Sequence, residues 1–138
     1  MLTRCAACLT ILVALLSPVR AADRNVLSPS DLNSYADFYD GHEVTVKGYM
    51  ILETHGHIIF DSRHIAEHQD DYKSRDDRYC LTIINPGFLM RVAHYDWGQK
   101  KEMILQGRFL AHYLDTVVDV GACGGNPGLT ITKIIKSE

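Results

Sequence analysis

No apolar run in this chain is long enough to cross a membrane. The longest extends from Cys5 to Leu16, and a spanning helix needs about 20 residues. After residue 22 every apolar stretch is broken by a charge or a glycine within a few positions. Lysine and arginine are also in deficit. The chain has 14 of them against 17 acids, for a net charge of −3. Nucleic-acid binding draws on basic side chains that neutralise phosphates, so this balance argues against it. There is no G-x-x-x-x-G-K-[ST] phosphate loop and no H-E-x-x-H metal motif. No serine, cysteine or carboxylate pair stands out as a nucleophile or an acid–base couple, so no enzyme is expected.

What is present begins with the first 21 residues. Arg4 supplies a positive start, Cys5 to Leu16 an apolar centre, and Val19-Arg20-Ala21 a small-residue cleavage site. This is the pattern of a secretory signal peptide removed before Ala22. A lipid-anchored variant would need a cysteine after the cut, where Ala22-Asp23 stands. An uncleaved signal acting as an anchor is the alternative. Cleavage would remove Arg4 and Arg20 and take the −3 of the whole chain to −5. The expected product is one exported domain, 22–138, periplasmic or secreted, with no membrane span. Cys5-Ala-Ala-Cys8 falls in the discarded segment. The remaining pair, Cys80 and Cys123, is most simply one disulfide in an oxidising compartment.

Periodicity predicts the elements. Ser28-Pro29-Ser30-Asp31 is a helix start, with an N-cap, a proline at the first helical position and an acid in the first turn. Leu32, Tyr35, Ala36 and Tyr39 form one helical stripe, and Gly41 ends it, giving a helix over 29–39. In Glu43–Glu53, Val44, Val46, Met50 and Leu52 alternate with Thr45, Lys47, Tyr49 and Glu53, the period of a strand. Gly48 in its middle signals a bend. Further strands are expected over 57–61, 79–84, 101–113 and 129–135, with a short helix over 88–95. Residues 115–120 extend the fourth strand or form another. Residues 22–27 read as a polar leader. Residues 62–78 read as a polar excursion with a helical turn or two.

Tyr39-Asp-Gly-His-Glu-Val-Thr-Val-Lys-Gly-Tyr49, five strands bent in the first and fourth, and a helix between the third and fourth together resemble the OB-fold. That fold is a five-stranded Greek-key barrel. The resemblance implies a mainly β, OB-like barrel with an N-terminal helix over most of residues 22–138. It also implies a ligand lying across the second and third strands and their loops, near Phe60, Tyr79 and Arg63. The first functional expectation is a non-catalytic exported binding or interaction module for a protein, peptide or glycan.

The histidines suggest a second reading. All seven follow residue 21, and His55, His57, His64 and His68 are clustered. His64 and His68 are four apart, which on a helix puts both rings on one face. Imidazole suits zinc or copper, so a periplasmic metal-binding protein is the alternative to exposed loop histidines and no cofactor. A small hydrolase with an unrecognised site is the third reading. The Gly121–Gly128 stretch precedes a strand and reads as a flexible connection tethered by Cys123.

Overall fold

The computed structural model describes residues 25–53, 56–68, 77–119, 121 and 123–138. The expected signal peptide, its cleavage site and His55 lie outside these residues. The described chain is mainly β. In order it forms β1 (Val26–Leu27), α1 (Pro29–Ser34), α2 (Ala36–Tyr39), β2 (Glu43–Glu53), β3 (Gly56–Phe60), α3 (Arg63–Glu67), β4 (Cys80–Ile83), α4 (Pro86–Val92), β5 (Gln99–Leu110) and β6 (Gly128–Ser137). No described helix is long and apolar enough to cross a membrane.

The six strands make one sheet, and five of them pair in a ring. β2 lies between β3 and β5, β3 pairs with β4, β4 with β6, and β6 returns to β5. All these pairings are antiparallel except β4–β6, which is parallel through Thr82↔Gly128 and Ile83↔Leu129. β3 reaches only the second half of β2, from Tyr49 to Glu53. On the first half the same edge is taken by β1, parallel, with Val26↔Thr45 and Leu27↔Val46.

Alternation along β2 decides what fills the ring. Val44, Val46, Met50 and Leu52 enter the main core with Ile59, Leu81, Leu105 and Phe109, while Tyr49 and Ile51 point the other way into a second cluster. Full burial of each such side chain contributes about 1.5–3 kcal/mol. The two mid-strand glycines sit where neighbouring chain comes closest. A Cβ on Gly48 would overlap the Phe60 carbonyl and lie 2.7 Å from Ile59 Cγ1; one on Gly107 would overlap the Thr130 carbonyl. β5 and β6 also slip register on either side of Gln106. A strand without a side chain at its tightest point can bend there.

The structure departs from the sequence expectations in three places. The helix expected over 29–39 is two short helices, broken at Tyr35 (φ −129°, ψ 40°). α1 is held from both sides. Its N-cap Ser28 makes a capping box with Asp31, and the Ser30 N–H and hydroxyl donate to Asp61 at 2.8 and 2.5 Å. Asn33 Nδ2 donates to the carbonyls of Asp77, Arg78 and Cys80 at 2.8–3.1 Å. The break turns Tyr35 out of the expected stripe, so Leu32 is fully buried and Tyr35 is 67% exposed. Second, part of the supposed polar leader is β1, because Val26 and Leu27 complete the open edge of β2. Third, residues 115–119 add no strand; a 3₁₀ turn at Tyr113–Asp115 opens an irregular segment instead.

Candidate functional site

The face across β3 and β4 is covered by the chain itself. Ser62 caps α3 by accepting the Ile65 N–H, and α3 then lays Ala66 and Ile65 on the sheet. They join Tyr49, Ile51, Phe60, Cys80 and Cys123 in the second cluster. The long β5–β6 connection closes the rest of this face. Cys123, in this connection, bonds Cys80 at the start of β4, with their Cα atoms 6.0 Å apart, within the usual range for a disulfide. The Cys123 N–H donates to the buried Thr82 hydroxyl at 3.0 Å, and the His57 N–H donates to the Gly121 carbonyl at 3.0 Å.

A charged network holds the same connection at its other end. The His57 ring approaches both Asp119 oxygens at 2.8 and 2.9 Å, and both side chains are 13% exposed. The Tyr113 hydroxyl donates to Asp119 at 3.0 Å, as does the Gly121 N–H. Burial alone would raise the Asp119 pKa, but the hydrogen bonds from His57, Tyr113 and Gly121 outweigh it and hold the carboxyl below its usual range. Burial and then the Asp119 bond push the Tyr113 phenol up. Gly121 is required by contact, since a Cβ there would overlap the His57 ring. Among the described residues the hydrogen bonds of the His57 ring go to Asp119 alone. The pair thus acts as a clasp on the connection.

The residues singled out from sequence are distributed over this covered side. Phe60 is 5% exposed and belongs to the second cluster. Tyr79 is half-buried beneath the Arg78 guanidinium, 5.8 Å from its ring centre. Arg63 is exposed and bound to Glu67 at 2.6 Å. The face expected to receive a ligand is therefore packed with this chain's own side chains. His64, on α3, and His68, its C-cap, stand together with ring centres 4.4 Å apart, whereas His57 is engaged with Asp119. No group of three or more possible metal ligands occurs among the described residues.

Among the described residues, one cavity lies on another face. A cavity of about 420 Å³ is lined by Asn25, Leu27, Tyr39, Glu43, Val44, Thr45 and Gln106, within the range of small-ligand and side-chain pockets. β1, α2, β2 and β5 each supply part of its wall. Thr45 and Gln106 face each other in the β2–β5 register and are 7% and 6% exposed. The Gln106 side-chain amide donates to the Glu43 carboxylate, which holds this acid at the rim. Tyr39 continues the wall outward. The Phe38 ring meets Tyr39 edge-on at 5.0 Å between centres and stacks with His42 at 6.4 Å. Phe38 is 73% exposed. A mixed cavity, with apolar Leu27 and Val44, polar Thr45 and Gln106 and one carboxylate, thus opens next to Tyr39, against which Phe38 packs. The sequence does not announce it, because Val26-Leu27 lies in a segment that reads as a polar leader and Phe38 lies off the helical stripe. The signals were Val26-Leu27 and the Phe38-Tyr39 pair.

No protein-family model, curated protein or solved structure matches this chain.

Proposed function

We propose that the protein is a non-catalytic, exported OB-like binding module that takes a protein or peptide partner at the Phe38–Tyr39 shelf and the adjoining cavity. The OB-like reading is supported by the ring order, in which β5 returns to lie beside β2 after β2, β3 and β4 have run in sequence. This order resembles that of a Greek key, in which the fourth strand returns beside the first. α4 lies between the third and fourth strands of the ring. Export is supported by the leader pattern of residues 1–21 and by the Cys80–Cys123 disulfide, a bond characteristic of oxidising compartments.

The observation that carries the binding proposal is an exposed phenylalanine packed on a tyrosine that lines a 420 Å³ cavity. Leaving a large aromatic ring in water forgoes its burial energy, and aromatic side chains are enriched where partners dock. Peptides selected from a random library against the folded protein test the reading. Binding should be lost on Phe38→Ser and weakened on Glu43→Gln, and kept on Arg63→Ala. Selected peptides that ignore Phe38 and respond to Arg63 would contradict it.

A further inference from the structure

His64 and His68 are the two histidines the fold leaves facing solvent on one short, anchored element. α3 is fixed on its inner side by Ala66, 4% exposed, and by the second cluster. Its cap is fixed by Ser62. His64 and His68 lie away from that contact, both exposed, with ring centres 4.4 Å apart and planes tilted by 37°. The spacing of four residues is the one that brings two imidazoles to one ion from a helical turn.

The protonation of one ring is settled by its partner. His68 Nδ1 lies 2.8 Å from the His64 carbonyl oxygen. A carbonyl only accepts, so Nδ1 carries the hydrogen and the lone pair of the neutral ring is on Nε2. This is the arrangement of metal-binding histidines generally, in which one ring nitrogen donates to a backbone carbonyl and the other is left as ligand. The adjacent Glu67 carboxylate is bound to Arg63 at 2.6 Å.

We propose that His64 and His68 form a surface two-imidazole site for a divalent transition-metal ion, with water completing the coordination. Copper(II) should bind more tightly than zinc(II), following the general order of affinities at nitrogen sites. The site is independent of the cavity and of the binding proposed there.

Copper(II) titration of the untagged exported protein, followed by calorimetry and by electron paramagnetic resonance, tests the proposal. One copper per chain should bind with a nitrogen hyperfine pattern. His64→Ala and His68→Ala should each weaken binding by about tenfold or more, and the double variant should abolish it. His57→Ala should leave it unchanged. Both α3 positions are exposed, so the melting temperatures of the α3 variants should match the wild type and separate loss of ligand from loss of fold. A wild type that binds no copper, a double variant that binds as tightly, or a site lost with His57 instead would overturn the assignment.

Discussion

The β3–β4 side and the β1–β2–β5 side of the ring are built from similar strands and finished in opposite ways. On β3–β4 the chain covers itself. α3, the disulfide, the Thr82 hydroxyl and the His57–Asp119–Tyr113 clasp close the surface over Phe60 and Cys80. On β1–β2–β5 a cavity is left open, and Phe38 stands exposed against Tyr39, which lines it. The difference teaches that a strand face with binding-like aromatics is a site only if the rest of the chain leaves it uncovered. Phe60 and Phe38 are the same residue type on two faces, 5% and 73% exposed.

If the closed face is structural, breaking it should cost stability. The largest effect is expected from Cys80→Ala with Cys123→Ala. The bond closes a 43-residue separation, and constraining such a loop in the unfolded chain is worth about 4 kcal/mol on the chain-entropy model. Denaturant unfolding of the double variant against wild type measures it. Gly107→Ala, which strains the β5–β6 pairing and not the closed face, should come next, at about 2–3 kcal/mol, because the Thr130 backbone must move to admit a methyl group.

Asp119→Asn should follow, at about 1–3 kcal/mol, by weakening charge-assisted hydrogen bonds in a largely buried setting. Its pH dependence has a definite sign. The folded pKa of Asp119 lies below the usual value, so the wild-type advantage is full above the unfolded carboxylate pKa of about 4. The advantage disappears as pH falls through the lower folded value. Unfolding free energies of the two proteins measured from neutral pH into acid should therefore converge. A constant difference would show that Asp119 acts through packing alone. The smallest stability effect belongs to the open face. Phe38→Ser should change stability by no more than about 0.5 kcal/mol, while removing peptide binding.

Much of the ring was legible in the sequence because it rests on local periodicity. Val44, Val46, Met50 and Leu52 announce β2 by alternation, and the observed strand has the expected bounds. Gly48 and Gly107 mark the points where neighbouring backbone comes closest, and Cys80 and Cys123 their bond. What was not legible depends on contacts distant in sequence. Nothing near Asp119 says that it will meet His57 on β3. Nothing near Asn33 says that three carbonyls around the start of β4 will hold α1 and end it before Tyr35. The cavity was illegible for the same reason. Its walls come from four elements, one of them the two-residue β1, whose strand character exists only because β2 offers an unpaired edge there.

The central claim is that partners meet the open face and not the closed one. Photo-activated cross-linking in exporting cells tests it directly, with a benzophenone side chain placed at position 38 in one variant and at position 63 in another. The account predicts a discrete cross-linked partner from position 38, absent from position 63 and diminished when Glu43→Gln is added. The same partner captured from position 63 and not from position 38 would contradict it.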